Sequence, residues 1–347
     1  MKVAILRDDN SESSKKWEMA CQKREIDFLT IDMLRDDWLD LIYSFSPSFC
    51  VSRPPGDSLY HKKIFDEKIF YLEKYTQYPV YPGFLETYIY ENKASLAWFL
   101  KTNSIPHPAT FVSSSYDESL QFVKQASYPI VAKTLIGAAG LGVKIIESSS
   151  DARAYVNKAF TTGIKRSFGP NRKTGSPKTW LVKAIKSPNH FFKKIKEYSA
   201  RSKDVQKCVV IFQEYIPHDY EWRCVRIGEF FFAYKKLKIG DQASGSSMFE
   251  YGPPPMDLLD FTKDLCLKHD FHFMAVDLFH NDKGIYVNEL QTIFGHKNPY
   301  ICKVDDKPGG YIFQDNEWIF EPGNFNTNES YDLRLKVALD LYRYKPE

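Results

Sequence analysis

The sequence predicts an α/β protein with α+β lobes, divided into two or three domains. Its 347 residues can bury a substantial core, and 43% hydrophobic with 26% charged residues is typical of a globular protein. Three observations support this fold class. Apolar runs alternate with helical stretches over residues 1–90, a glycine-rich loop joins two apolar strands, and an apolar hairpin carries two carboxylates.

The first unit, residues 1–90, is typical of a parallel sheet covered by helices, because strands and helices alternate along it. Pro54, Pro55 and Gly56 interrupt this alternation. The predicted strands are Val3–Leu6, Ile26–Ile31, Ser48–Ser52 and Tyr78–Tyr81, and the predicted helices are Glu12–Arg24 and Asp36–Tyr43.

A second unit is predicted for residues 91–212 and a third for residues 213–347. Asn92 is a good N-cap for a helix that begins at Lys93. Further helices are predicted over Asp117–Gln125 and Asp151–Phe160, and the chain ends with Asp332–Tyr342, a predicted surface helix. Between them, residues 165–207 form a basic insertion with thirteen Lys or Arg against two acidic residues.

Composition excludes several classes of protein. The net charge of +3 gives no reason to expect nucleic acid as a partner. The apolar run at the N-terminus is too short for a signal peptide, and no stretch approaches the ~20 residues of a membrane span. Six cysteines without CxxC spacing predict free thiols in a reducing compartment, so we expect a cytoplasmic protein.

The glycine-rich stretch PIVAKTLIGAAGLGVKII places Lys133 at the end of one strand and the loop Gly137–Gly142 before the next. It is not a P-loop, since no GK[ST] follows and the chain returns as a strand. A flexible hairpin loop is one interpretation, and a loop whose backbone N–H groups bind phosphate is another. A buried Lys133 favours the second, because its ammonium needs an anionic partner.

The hairpin FMAVDLFHNDKGIYVNELQTIFG carries Asp277 and Glu289 on apolar strands. A three-residue turn, Asp282-Lys283-Gly284, would place Asp277 opposite Glu289, with Gln291 on the same face. Opposed carboxylates are destabilising unless a cation lies between them, and Mg²⁺ prefers such hard oxygen ligands. A solvated face is the alternative. It is disfavoured because the remaining residues predicted for that face are apolar, namely Phe273, Ala275, Ile285 and Val287.

The order of these features resembles the ATP-grasp superfamily, in particular the branch with glutathione synthetase and the ribosomal-protein glutamate ligases. The features are Lys93 at a helix start, Lys133 before the glycine-rich loop, QEYI at 213–216, EWR at 221–223, Asp277, and the ELQ that begins at Glu289. The likeness covers residues 90–300. Residues 1–90 resemble the Rossmann-like domain that precedes the ATP-grasp fold in that superfamily.

The resemblance implies a set of functional residues. Arg223 would stabilise a transferred phosphate or bind the acceptor carboxylate, and Lys235 or Lys236 would supply another cation, with Lys235 taken as the candidate. The implied metal ligands are Asp277, Glu289 and Gln291. The residues implied for ATP are Lys93, Lys133, Gly137, Ala138, Ala139, Gly140, Leu141, Gly142, Gln213, Glu214, Tyr215, Ile216 and Glu221.

One position departs from the family pattern. Relatives usually carry Asn two residues after the metal-binding Glu, whereas this chain has Gln291. Glutamine keeps the amide oxygen but adds a methylene, which puts a second metal position in doubt.

The function implied is an ATP-dependent ligase that joins a carboxylate to an amine through an acylphosphate. Its cofactors would be ATP and Mg²⁺, with Mn²⁺ as an alternative ion, and its substrates small-molecule or peptide carboxylates and amines of anionic character. Two other functions stay open: a phosphotransferase acting on an anionic small molecule, and a non-catalytic ATP-binding module.

Overall fold

The computed structural model describes residues 1–8, 14–56, 58–137, 142–165, 204–239, 242–243, 248–296 and 298–342. The strands in these ranges form three larger sheets and one small two-stranded sheet. Most of the basic insertion, residues 166–203, lies outside the described ranges, as do Ala138, Ala139, Gly140 and Leu141 of the glycine-rich loop.

The N-terminal sheet is parallel, with strand order β2-β1-β3-β4, as the alternating sequence predicts. Its strands are β1 Lys2–Arg7, β2 Asp27–Asp32, β3 Phe49–Ser52 and β4 Val80–Tyr81. Its helices are α1 Lys15–Lys23, α2 Trp38–Phe45, α3 Leu59–Tyr75 and α4 Phe84–Ile89.

Helix α3, which follows the Pro-Pro-Gly break, is not among the helices that the sequence pattern predicts. Its buried face carries an ion pair instead of a continuous apolar stripe. Lys62 Nζ donates to Asp66 Oδ1 at 2.6 Å and to the carbonyl oxygen of Thr87 at 2.7 Å. Ser58 caps the helix, its Oγ accepting from the backbone N–H of His61.

The second sheet is antiparallel, with order β5-β10-β6-β7. It comprises β5 Thr110–Ser113, β6 Ile130–Lys133, β7 Val143–Ile146 and β10 Val210–Glu214, with β8 Ile164–Lys165 and β9 Val205–Gln206 paired beside it. The helices of this part are α5 Lys93–Thr102, α6 Tyr116–Gln125 and α7 Ser149–Phe160. Asn92 caps α5 through its side chain, as predicted.

The third sheet has nine strands, in the order β16-β15-β11-β12-β18-β17 with β13, β14 and β19 attached. Helix α8, Met256–Lys268, packs against β11 and β12. The strands are β11 Tyr220–Ile227, β12 Phe230–Ile239, β13 Gln242–Ala243, β14 Phe249–Glu250, β15 Phe273–Asn281, β16 Gly284–Gln291, β17 Cys302–Val304, β18 Lys307–Gln314 and β19 Glu317–Pro322.

The predicted three-residue turn in the β15–β16 hairpin is wrong. Asn281 pairs with Gly284, so the turn contains only Asp282 and Lys283. A β-bulge then leaves Asn288 as an extra residue, because Leu278 pairs with Val287 but Asp277 pairs with Glu289. The bulge restores the predicted opposition of Asp277 and Glu289, while Val287 joins the opposite face.

The C-terminal helix α9, Tyr331–Tyr342, is not the surface helix that its position predicts. Tyr331, Leu335 and Ala338 are buried in a core that also contains residues of β1, α1, β11 and β15. The ring of Tyr331 packs edge-on against Trp17 of α1, with ring centroids 4.8 Å apart. The helix therefore joins the N-terminal unit to the third sheet.

The antiparallel sheet has a separate hydrophobic core, built from residues of β6, β10, α6 and α7. All six cysteines are free thiols, as predicted. Among the described residues, the helices are too short or too polar to cross a membrane.

Candidate functional site

A charged cluster lies on one face of the third sheet, where the register of four adjacent strands brings its members together. Arg223 on β11 pairs directly with Asp277 on β15, and Asp277 pairs with Glu289 on β16. Glu221 on β11 pairs with Lys236 on β12. Side chains at paired positions lie on the same face, so the four strands present five charges to one another.

The inner layer of the cluster surrounds Asp277, which has no solvent exposure. Arg223 binds both of its oxygens, with Nε 2.6 Å from Oδ1 and Nη2 2.8 Å from Oδ2. Lys236 Nζ bridges Asp277 Oδ2 at 2.6 Å and Glu221 Oε2 at 2.9 Å. Burial alone would raise the pKa of Asp277, but the two cations outweigh it and hold that pKa well below its usual range.

The outer layer is formed by Lys93, at the start of α5, with Glu289 and Glu91. The Lys93 ammonium donates to Glu289 Oε1 and, at 3.2 Å, to Glu91 Oε2. Burial opposes the charge on Lys93, yet the two carboxylates outweigh it and raise its pKa. Burial likewise acts against Glu289, while Lys93 holds its pKa below the ordinary value. The Glu289 side chain keeps 20% exposure, against 1% for the Asp277 side chain.

Lys133 enters the same cluster from the end of β6, in the antiparallel sheet. Its Nζ donates to Asn288 Oδ1 at 3.1 Å, and Asn288 Nδ2 donates to Glu221 Oε1 at 3.1 Å. Burial and the neighbouring Lys93 lower the pKa of Lys133 to about 8. Among the described residues, no carboxylate forms an ion pair with Lys133, so this ammonium lacks a full counter-charge.

Sequence reasoning missed Asn288, the extra residue of the bulge, because a regular strand would turn it away from the cluster. The length of the turn could have indicated the bulge. A two-residue turn without a bulge pairs Asp277 with Asn288, so the two carboxylates can oppose one another only if a residue is added nearby.

Glu91, a buried residue with φ +50°, is a second member of the cluster that the sequence pattern does not predict. A non-glycine residue in this left-handed region is strained, and such strain concentrates at functional sites. A Cβ at position 56 would lie 2.9 Å from Glu91 Cγ, so Gly56 leaves the room that this side chain occupies.

Lys235, the predicted catalytic lysine, is not part of the cluster. It pairs with Trp222 on the opposite face of the sheet, where Nζ binds Glu250 Oε1 at 2.8 Å and lies 4.7 Å from the Tyr220 ring centroid. The structure brings its neighbour Lys236 into the site instead, because successive residues of a strand point to opposite faces.

The predicted nucleotide-binding segment Gln213–Ile216 connects β10 of the antiparallel sheet to β11 of the third sheet. The Gln213 side chain is buried and donates to Thr110 Oγ1 at 3.1 Å. Glu214 accepts from the backbone N–H of Ala109 at 3.2 Å. Tyr215 and Ile216 follow β10, as a connection between two lobes requires.

The described ends of the glycine-rich loop are Gly137 and Gly142, both with positive φ. At Gly142, φ is +88° and a Cβ would lie 2.1 Å from Thr134 Oγ1. The backbone N–H of Thr134 also donates to the carbonyl oxygen of Gly142 at 3.0 Å. Close packing on Thr134 is therefore a sufficient reason for glycine at 142.

A neutral histidine lies near Arg223, in the segment after β16. Burial and then the charge of Arg223 lower the pKa of His296 to about 4. Its Nε2 lies 3.1 Å from the Tyr251 hydroxyl, which accepts from Asn298 Nδ2 at 2.9 Å. Sequence reasoning gave this segment no role, since a lone histidine carries little information.

Two carboxylates of the cluster have the chemistry that Mg²⁺ prefers. Asp277 and Glu289 are hard oxygen donors opposite one another, although within the described ranges no three acidic, His or Cys side chains form a complete metal cage. That agrees with an ion that takes one or two carboxylates and completes its shell with phosphates and water. Lysine and arginine groups now bind both carboxylates, so an ion would have to replace cations there.

Comparison with known proteins supports a fold assignment. A family model described as "Carbamoyl-phosphate synthase L chain, ATP binding domain" matches residues 94–191. A RimK domain ATP-grasp protein from Sphaerobacter thermophilus has a similar structure, with a TM-score of 0.50 and 15% identity over 84% of this chain and 90% of that one. The chain has the ATP-grasp fold.

Other ATP-grasp structures resemble it over nearly the whole length. A D-alanine–D-alanine ligase from Bacillus anthracis has a TM-score of 0.50 and 13% identity, and 99% of each chain is covered. A carboxyaminoimidazole ribonucleotide synthase from Aspergillus clavatus, solved with ATP, has a TM-score of 0.55 and 9% identity, with 98% of this chain and 76% of that chain covered. No curated protein matches the sequence.

Proposed function

We propose that the chain is an ATP- and Mg²⁺-dependent ligase that joins a carboxylate to an amine through an acylphosphate. The observation that carries this proposal is the convergence of Lys93 and Lys133. Lys93 lies at the start of α5 and Lys133 at the end of β6, in the antiparallel sheet. Their ammonium groups contact Glu289 and Asn288, which are neighbours on β16. Converging cations, one of them without a full counter-charge, form a phosphate-binding arrangement.

In this proposal, Lys93 and Lys133 hold the phosphates and Arg223 with Lys236 neutralises charge that develops on the transferred phosphoryl group. Phosphoryl transfer needs mainly such positioning and neutralisation. Lys236 replaces Lys235 in this role, because only Lys236 lies on the same face as Arg223.

Glu289 and Asp277 would hold Mg²⁺, which would supply positive charge to offset the negative charge of the phosphates. Glu289 is the accessible member of the pair, whereas Asp277 lies beneath Arg223 and Lys236. The four cations near these residues are Lys93, Lys133, Arg223 and Lys236, and the four carboxylates are Glu91, Glu221, Asp277 and Glu289. Phosphate oxygens would draw the lysines away from the carboxylates and so release ligands for the ion.

The proposed acylphosphate can be tested without knowing the amine. The protein is incubated with ATP, Mg²⁺, a panel of carboxylates and hydroxylamine, which traps an acylphosphate as a coloured hydroxamate. We expect hydroxamate and ADP in equal amounts with the correct carboxylate, lost in Lys236→Met and retained in Lys235→Met.

The same assay separates the alternatives. A stable phosphorylated hydroxyl compound, formed without hydroxamate, would show a phosphotransferase acting on an anionic small molecule. Tight ATP binding without turnover over the whole panel would show a non-catalytic ATP-binding module. A cytoplasmic location is part of the proposal, in keeping with six free thiols.

A further inference from the structure

Gln291 occupies the position where the ATP-grasp pattern has a metal-binding asparagine, and its amide is bound on both sides by protein groups. Its Oε1 accepts from Arg223 Nη2 at 2.8 Å. Its Nε2 donates to Glu289 Oε2 at 2.8 Å and to Glu91 Oε1 at 3.4 Å. The side chain is buried, with 9% exposure.

The charges around Gln291 fix the orientation of its amide. In the observed orientation, the carbonyl oxygen meets a guanidinium and the NH₂ group meets two carboxylates. The reverse orientation would place oxygen against Glu289 and Glu91, and NH₂ against Arg223, so every contact would be repulsive. The oxygen that would bind a metal ion therefore points at Arg223.

The length of glutamine is what makes this contact. Gln291 on β16 reaches across β15 to Arg223 on β11, a span of two strand spacings, or about 10 Å. The residue of β15 opposite Gln291 is Ala275, whose small side chain leaves room for the crossing. Asparagine would be shorter by one carbon–carbon bond, about 1.5 Å, and would end beyond hydrogen-bond reach of Arg223.

We propose that Gln291 is a positioning residue and not a metal ligand, and that the site holds one divalent ion per nucleotide. Gln291 fixes Arg223 on one side and Glu289 and Glu91 on the other. Releasing its oxygen to an ion would leave a buried guanidinium N–H without that acceptor, which is unfavourable. This inference rests on the proposed ATP-dependent function.

The number of ions tests the inference directly. Free Mn²⁺ is measured by electron paramagnetic resonance while the ion is titrated into protein saturated with a non-hydrolysable ATP analogue. We expect one bound Mn²⁺ per nucleotide in the wild type and the same number in Gln291→Leu. Two ions in the wild type, falling to one in Gln291→Leu, would overturn the inference while leaving the proposed function intact.

A second measurement tests the positioning role. Binding of Mg²⁺–ADP is compared with binding of Mg²⁺–ADP–aluminium fluoride, which mimics the phosphoryl group in transfer. We expect Gln291→Leu to weaken the second complex at least tenfold and the first less than threefold. The proposal assigns Arg223 to the transferred group, and in the variant Glu289 keeps its ion pair with Lys93 while Asp277 keeps its ion pair with Lys236. Equal effects on both complexes, or no effect on either, would contradict the role.

Two further variants control this measurement. Gln291→Asn keeps an amide but loses the hydrogen bond to Arg223, so it should behave like Gln291→Leu. An unchanged affinity of Gln291→Asn for the aluminium fluoride complex would overturn the inference. Thr262→Val removes a buried hydrogen bond of α8, from Thr262 Oγ1 to the Leu258 carbonyl, and should leave both affinities unchanged. If the wild type bound no nucleotide, the proposed function would fail, and this inference with it.

Discussion

Lys133 is a half-buried ammonium with an amide oxygen as its hydrogen-bond partner, and loss of solvation together with the charge of Lys93 lowers its pKa to about 8. A bound phosphate favours the charged form and would raise that pKa again. Above pH 8, part of the free protein has a deprotonated Lys133. Binding of a nucleotide phosphate would then be coupled to protonation of Lys133.

We therefore expect nucleotide binding at pH 8.5 to take up most of one proton, and at pH 6.5 to involve little uptake by Lys133. Calorimetric titrations in two buffers of different ionisation enthalpy measure this number. Lys133→Arg should abolish the uptake, because its guanidinium stays charged. Equal uptake by the wild type and Lys133→Arg would assign the proton to another group.

Lys235 and Lys236 are neighbours in sequence that differ in burial, and they form a matched pair for mutation. Lys236→Met removes one partner of a buried ion-pair network and should lower the free energy of unfolding by about 3–5 kcal/mol. Lys235→Met breaks a pair whose side chains are 27% and 55% exposed, so about 0–1 kcal/mol is expected. Urea denaturation of both variants measures the difference, and equal losses would contradict the placement of Lys236.

At the scale of residues, the sequence predicted the carboxylates and cations of the site better than their contacts. Asp277, Glu289, Arg223 and Lys93 stand out because charge is rare in apolar strands and at buried helix starts. Glu91 does not stand out, because it lies in the connection before α5 and the sequence pattern does not show that its side chain is buried beside Lys93 and Gln291. The choice between Lys235 and Lys236 required the strand register.

At the scale of elements, the β15–β16 hairpin shows how two errors can cancel. The predicted turn is one residue too long and the bulge adds one residue, so the opposition of Asp277 and Glu289 is correct for the wrong reason. Turn length and bulges depend on local backbone geometry that the apolar pattern does not record.

The bulge leads to a prediction about Asn288. Asn288→Ala removes the acceptor for Lys133 and the donor to Glu221, while Asp277 and Glu289 stay paired. We expect unfolding to become easier by about 1–3 kcal/mol, and nucleotide affinity to change because Lys133 loses its partner. The exposed Asn324→Ala is the control for stability, and an identical effect of the two variants would show that the bulge residue has no special role.

Helix α9 gives a second prediction at this scale. Leu335 is fully buried between the N-terminal unit and the third sheet, whereas Lys336 is exposed. Leu335→Ala should cost about 2–5 kcal/mol and Lys336→Ala close to nothing. Chemical denaturation of both proteins distinguishes a packed helix from the surface helix that the sequence suggested, for which both losses would be small.

At the scale of the whole molecule, the N-terminal unit and the third sheet share one hydrophobic core, and the antiparallel sheet has a separate one. The other face of the N-terminal sheet packs in a third core of its own. The sequence predicts units that begin near residues 91 and 213, but not that the last helix returns to the first unit. Such a contact joins residues more than 300 positions apart, as in the hydrogen bond from Lys23 Nζ to Asp332 Oδ2 at 2.7 Å.

The separate cores predict how the molecule responds to nucleotide. Lys133 is carried by the antiparallel sheet, so a phosphate bound to Lys93 and Lys133 ties that sheet to the third one. In hydrogen–deuterium exchange, we expect a non-hydrolysable ATP analogue with Mg²⁺ to slow exchange in residues 130–133 and 210–214 more than in β1 or β15. If the analogue slowed exchange equally in all parts of the molecule, the core of the antiparallel sheet and the core shared by the N-terminal unit and the third sheet would unfold locally as one unit.

Ala275 restricts which residues can coexist in sequences related to this one. A larger side chain there would fill the space through which Gln291 reaches Arg223. Positions 275, 291 and 223 are therefore expected to vary together: a glutamine at 291 should occur with alanine or glycine at 275 and arginine at 223. Chains with a bulky residue at 275 should carry the shorter asparagine at 291. If the proposed role of Gln291 holds, the residue at 275 is then a marker for the number of ions that the site of each chain would hold.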